Sequence, residues 1–163
     1  MVYRKFVKNA HYLLYLMVKY LIIKNFIVVV AIRYVMSGRE TFKEWIIVVV
    51  DDHRDNREAL SQILKLNGIT VYPAESGAEA LGILETVTPT VMLLDIRMAD
   101  MDGWELLNII RSNPQTSSLL VVAFTSSDPP AELTGTGFDA YYQKPMQVRV
   151  LLQNLVELVH KTE

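Results

Sequence analysis

From Trp45 onward the chain alternates between short apolar runs and stretches with apolar residues at helical spacing. Ile46 to Val50 is a β-branched run without a polar break, which predicts a strand buried on both faces, as in a parallel sheet. Residues 55–67 then place Ala59, Leu60, Ile63, Leu64 and Leu66 at helical intervals. Asp55 and Glu58 read as the capping pair of that helix, and Gly68 as its stop. A second strand is expected over Ile69 to Tyr72, and Ser76 with Glu79 reads as a capping box for a helix to about Thr86. Thr90 to Leu94 predicts a third strand, and Asp102 with Glu105 opens a helix that ends near Ser112, before Asn113-Pro114. Leu119 to Phe124 predicts a fourth strand. Asp128-Pro129-Pro130 starts a helix that must be short, because Gly135 and Gly137 follow closely. Ala140 to Gln143 is a fifth strand, and residues 147–160 form a last amphipathic helix with Val148, Leu151, Leu152, Leu155, Leu158 and Val159 on its apolar side.

Five strands alternating with five helices imply a doubly wound α/β fold with right-handed crossovers and helices on both faces. In such folds ligands bind beyond the carboxyl ends of the strands. Strand one runs into Asp51-Asp52, strand three into Asp95, strand four into Thr125 and strand five into Lys144-Pro145. Three carboxylates, a hydroxyl and an ammonium therefore converge on one edge. Taken singly, an Asp after a strand is most often a helix cap, and a Lys before Pro is most often solvated. Four such accidents on one edge are hard to explain. Clustered carboxylates repel one another and call for a cation, and oxygen donors suit a hard metal such as Mg²⁺. A carboxylate beside such a cation can attack a phosphoryl group, while an ammonium and a hydroxyl stabilise the phosphoryl oxygens.

Charge divides the chain. Residues 1–36 carry six basic residues and no acidic one, whereas residues 37–163 carry ten basic against eighteen acidic, a net of −8. The domain is accordingly read as residues 45–163, preceded by an apolar and basic extension over residues 1–44. Residues 12–35 are apolar, but Lys19, Lys24 and Arg33 interrupt them, which makes a poor membrane span and a poor signal peptide. A weak anchor, an extra packing helix and a natural start at Met36 are the open readings, and the abrupt loss of acidic residues favours Met36. The acidic balance of residues 37–163 does not suit a nucleic-acid partner. The absence of cysteine rules out disulfides, thiolate metal sites and cysteine nucleophiles. His11, His53 and His160 are too scattered in sequence for a metal site. His53 reads as an exposed loop histidine, and Trp45 and Trp104 as packing residues.

Residues 46–160 resemble the receiver domains of bacterial response regulators. Ile47-Val-Val-Val-Asp-Asp52 is similar to the family's first strand and acidic pair. Leu93-Leu-Asp-Ile-Arg-Met-Ala-Asp-Met-Asp-Gly103 is similar to its phosphorylation segment, and Thr125, Tyr141 and Lys144-Pro145 match its hydroxyl, aromatic switch and lysine-proline pair. The resemblance implies a flavodoxin-like sheet of order 2-1-3-4-5, with Asp95 as phosphoacceptor. It implies Mg²⁺ held by Asp52, Asp95 and the carbonyl of Arg97, with Asp51 acting through a metal-bound water. Lys144 would pair with Asp95 and then with the phosphoryl group across a cis Lys144-Pro145 bond. Thr125 and Tyr141 would form the switch.

Ala99 stands where the family usually has proline, and the stretch from Thr125 to Lys144 is about one helical turn short. Arg97 and Ser127 occupy positions that tune phosphoryl lifetime in this family. The expectation is a cytoplasmic single-domain response regulator, catalysing only its own phosphorylation and dephosphorylation. It would take phosphate from a histidine kinase or phosphotransfer protein and act on an unidentified downstream protein, with a homodimer left open. Two rivals are a phosphorylation-independent interaction module and a Mg²⁺-dependent aspartyl-phosphate phosphatase or phosphotransferase. The second is disfavoured because Arg97 occupies the place of its acid-base carboxylate.

Overall fold

The computed structural model describes residues 42–129 and 135–162. Strands β1 (Ile46–Val50), β2 (Thr70–Ala74), β3 (Val91–Leu94), β4 (Leu120–Thr125) and β5 (Ala140–Gln143) form one parallel sheet of order β2-β1-β3-β4-β5. Four helices lie among the described residues: α1 (Arg54–Leu66), α2 (Gly77–Leu84), α3 (Gly103–Ser112) and α4 (Val148–His160). The expected short helix after Asp128 falls largely on residues 130–134, and the extension before Thr41 likewise lies outside the described residues. No helix among the described residues is long and apolar enough to cross a membrane.

The central strands are uniformly apolar because both of their faces are covered. Ile47, Val49, Leu93 and Val122 point to one side, where Leu60 and Leu64 of α1 and Leu151 and Leu155 of α4 pack on them. Val48, Val50, Met92, Leu94, Val121 and Ala123 point to the other, against Ala80 of α2 and Leu106, Leu107 and Ile110 of α3. Strand β2 runs on to Ala74 and contains Pro73, past the expected end at Tyr72. An edge strand tolerates a proline that a central one would not.

The caps follow the sequence at two helices and depart from it at a third. Ser76 accepts a hydrogen bond from the Glu79 N–H, and Asp102 accepts one from the Glu105 N–H. At α1 the N-cap is His53, whose side chain makes no capping bond. Glu58 there turns instead to Arg54, 2.7 Å away and one helical turn back. At the other end Gly68 adopts φ +88°, a conformation that favours glycine, and its N–H bonds to the Lys65 carbonyl. Below the sheet, Arg111 of α3 organises the amino-terminal edge. Its guanidinium donates to the carbonyls of Gly137, Ser117 and Leu119 and to Asp139, whose Oδ2 also accepts the Val121 N–H. Trp45 is buried edge-on against Phe42, whereas Trp104 packs on Phe138 with about a third of its surface exposed.

Candidate phosphoacceptor site

The parallel ladder continues past the strand ends and carries the polar residues to one edge. The Asp95 N–H bonds to the Val50 carbonyl, the Asp51 N–H to the Ala74 carbonyl and the Lys144 N–H to the Thr125 carbonyl. These bonds extend the ladder to the residues that carry the edge's chemistry. Lys144 Nζ lies 2.6 Å from Asp51 Oδ2 and 2.8 Å from Asp95 Oδ2. It also lies 5.4 Å from the centroid of the Phe124 ring. Asp51, Asp95 and Thr125 are all buried. The peptide bond between Lys144 and Pro145 is cis, as the family resemblance implied.

Burial pushes the Asp95 carboxyl toward its neutral form. The Lys144 hydrogen bond, the Thr125 hydroxyl, the Lys144 charge and the Arg97 N–H together outweigh it, so the net displacement is below the ordinary carboxylate value. Asp95 is thus ionised at neutral pH even though it is buried. Asp51 Oδ1 accepts the His53 N–H at 2.8 Å. The Arg57 guanidinium donates to the Asp51 carbonyl at 2.6 Å and reaches toward Glu75, which braces the loop carrying the acidic pair.

Asp52 sits at the outer rim. Its Oδ2 accepts the Ala99 N–H at 3.0 Å and its Oδ1 lies 2.7 Å from His53 Nδ1. A proline at position 99 could not donate that hydrogen bond, so the departure at this position gives Asp52 an anchor. His53 is exposed, as expected, but its ring is turned onto the carboxylates. Ligand atoms of Asp51, Asp52 and His53 lie within 4.8 Å of one another, the one group of three such side chains this close among the described residues. Asp95 stands beside this set, joined to Asp51 through Lys144. The three histidines are scattered in sequence, but His53 lies beside the acidic pair. Spacing between histidines could not show it, because its partners are the two aspartates that precede it.

The remaining candidates are placed as follows. Arg97 directs its backbone N–H to Asp95 Oδ1 at 3.2 Å and its guanidinium to Ser126 at 3.0 Å. Thr125 Oγ1 accepts the Ser127 N–H. Tyr141 is tied to the segment after β4, where its hydroxyl is shared between the carbonyls of Ser127 and Asp128, each at 2.9 Å. Burial, with Asp128 and Asp95 nearby, raises the Tyr141 phenol, so it remains a donor throughout the neutral range.

The sequence from residue 47 to 156 matches the family described as "Response regulator receiver domain". The chain belongs to that family. It is 35% identical over 120 residues to the response regulator MprA of Mycobacterium ulcerans, covering 72% of this chain and 51% of MprA. The chain therefore spans about half the length of that relative. A 14.6 kDa protein of Leptolyngbya boryana is 34% identical over 118 residues, covering 70% of this chain and 89% of the relative. Among solved structures, the response regulator TrrA of Thermotoga maritima, in complex with Mg²⁺-BeF, superposes with a TM-score of 0.63 at 27% identity. That match covers 70% of this chain and 98% of TrrA.

Gly103 shows why the receiver segment carries a glycine here. It opens α3 against the loop that follows β3, and its N–H bonds to the Ile96 carbonyl at 2.8 Å. A Cβ at this position would meet the Asp95 carbonyl oxygen at 2.6 Å and Ile96 Cα at 2.7 Å, both backbone atoms. Gly103→Ala is expected to cost about 1–3 kcal/mol, the usual range for overpacking. It should also slow labelling of the site by an acyl phosphate, because the backbone that must shift is that of Asp95. Urea denaturation alongside a labelling time course checks both effects. Unchanged stability and rate would show that the loop yields freely.

Proposed function

We propose that this receiver domain accepts a phosphoryl group on Asp95 from a histidine kinase or phosphotransfer protein, in a Mg²⁺-dependent reaction, and signals through the surface that this modification changes. The observation that carries the proposal is Lys144 Nζ held between the carboxylates of Asp51 and Asp95 at the carboxyl edge of the sheet.

An ionised Asp95 oxygen attacks phosphorus. The bond from phosphorus to the donor's nitrogen, or to the oxygen of an acyl phosphate, breaks, and the departing group keeps the electron pair. Lys144 keeps Asp95 in its charged form and then balances the phosphoryl oxygens. Thr125, buried beside Asp95, supplies a hydroxyl hydrogen bond to the new group. Tyr141, tied to the carbonyls after β4, is placed to report any movement of that segment. The donor set fits a hard divalent cation: Asp51, Asp52 and Asp95, with the Arg97 carbonyl, would hold Mg²⁺. Bound there, the cation supplies neutralisation of negative charge between the carboxylates and the phosphoryl group. We read the protein as a cytoplasmic regulator.

Intact-mass measurement after incubation with acetyl phosphate tests the proposal. One added phosphoryl group is expected with Mg²⁺ and none after chelation. No adduct, with beryllofluoride also leaving the protein's spectra unchanged, would leave a receiver-shaped interaction module as the better reading.

A further inference from the structure

His53 takes no part in the phosphoryl chemistry above, yet its ring is not idle. Its side chain is 71% exposed and could extend into solvent, but Nδ1 lies 2.7 Å from Asp52 Oδ1 and 3.7 Å from Asp51 Oδ1. As N-cap of α1 the side chain makes no capping bond, so its polar contact is with the acidic pair. Two backbone contacts fix this geometry. The His53 N–H is bound to Asp51 Oδ1, which ties the residue to the acidic pair. The Ala99 N–H holds Asp52 Oδ2, which leaves Oδ1 presented to the imidazole.

We propose that His53 is a nitrogen ligand, through Nδ1, of the divalent cation held by the acidic pair, and that it biases the site toward cations that accept imidazole, such as Mn²⁺ and Ni²⁺, over Mg²⁺. The inference rests on the reading that Asp51 and Asp52 bind a divalent cation. Imidazole suits first-row transition metals, whereas Mg²⁺ favours carboxylate, carbonyl and water oxygens. In the ligating tautomer the ring proton resides on Nε2, and the direct His53–Asp52 hydrogen bond gives way to a shared cation. Loss of the ring should therefore weaken transition-metal binding far more than Mg²⁺ binding.

The test uses the full chain and its His53→Ala and His53→Asn variants. Calorimetric titrations compare Mg²⁺ with Ni²⁺, and pulsed electron paramagnetic resonance of bound Mn²⁺ looks for nitrogen coupling. Wild type is expected to show nitrogen coupling that both variants lose. Ni²⁺ affinity should fall by about tenfold or more, as for other groups lost around a metal site, with Mg²⁺ affinity nearly unchanged. An Asp52→Asn control should lose Ni²⁺ binding, which separates this site from stray histidines. No nitrogen coupling in wild type, with equal affinity ratios in wild type and variants, would overturn the His53 assignment and leave the acidic-pair reading standing. Failure of wild type to bind Mg²⁺, Mn²⁺ or Ni²⁺ would overturn both.

Discussion

Asp95→Asn protein is expected to acquire no phosphoryl group from acetyl phosphate and Mg²⁺ under conditions that label the wild type, while remaining folded. The amide fills the same volume but has no anionic oxygen to attack phosphorus, and neither Asp51 nor Asp52 can take over. Asp51 is already engaged by Lys144 at 2.6 Å and by the His53 N–H at 2.8 Å, and Asp52 lies at the rim, held by Ala99. The fold should tolerate the change, because Lys144 keeps Asp51 as a partner and one of two adjacent buried negative charges is removed. Intact mass reads the labelling, and urea denaturation reads the stability. A singly labelled Asp95→Asn protein would move the phosphoacceptor elsewhere. An unlabelled but unfolded one would leave Asp95→Glu as the deciding variant, since it keeps the charge and displaces the nucleophile by one methylene. If Asp95→Glu labels as well as wild type, the nucleophile is not positioned as the geometry demands.

The fold was legible because its signals are local and periodic. Uninterrupted β-branched runs mark strands covered on both faces, and the polar residue after each run marks where the sheet edge begins. Asp51, Asp95, Thr125 and Lys144 could be collected onto one edge from that rule alone, with no contact known. What stayed hidden depends on which partner a polar group chooses among several. Glu58 looked like half of a capping pair, yet Arg54 one turn away offered it an opposite charge. Ala99 looked like the mere loss of a proline, and only the chain path shows that the freed N–H reaches Asp52, distant in sequence. Arg111 gave no signal at all, because three of its four hydrogen-bonding partners are backbone carbonyls, and backbone carries no residue identity. The short helix after Asp128 falls on residues outside the description, so the shortness read from Gly135 and Gly137 stays an expectation.

Lys144→Met is expected to impair both stability and chemistry, and the two effects separate by pH and by cation. Removing the ammonium leaves Asp51 and Asp95 buried side by side, a loss that typically costs about 3–5 kcal/mol for a broken buried pair. In wild type the Asp95 pKa is held below the unfolded value near 3.8. Its stabilising contribution is therefore complete above that value and is lost only as pH falls through the lower folded pKa. Between pH 5 and 7.5 wild-type stability should not vary on account of Asp95. Without Lys144, burial and the repulsion of the adjacent Asp51 carboxylate face only the Thr125 hydroxyl and the Arg97 N–H, so the Asp95 pKa is expected to move upward past its unfolded value. The sign then inverts: the folded state binds the proton more readily than the unfolded state, so stability falls as pH rises and is recovered on acidification. Urea denaturation at pH 5 and 7.5 should show the variant closer to wild type at the lower pH. Added Mg²⁺ should restore part of the loss at pH 7.5, since a cation between the carboxylates replaces the missing charge. Labelling by acetyl phosphate should nonetheless fall by about 100-fold or more even with Mg²⁺, the usual cost of losing one preorganised group that meets developing charge. A variant equally destabilised at both pH values and indifferent to Mg²⁺ would show that Lys144 contributes packing against Phe124 rather than charge balance in this cleft.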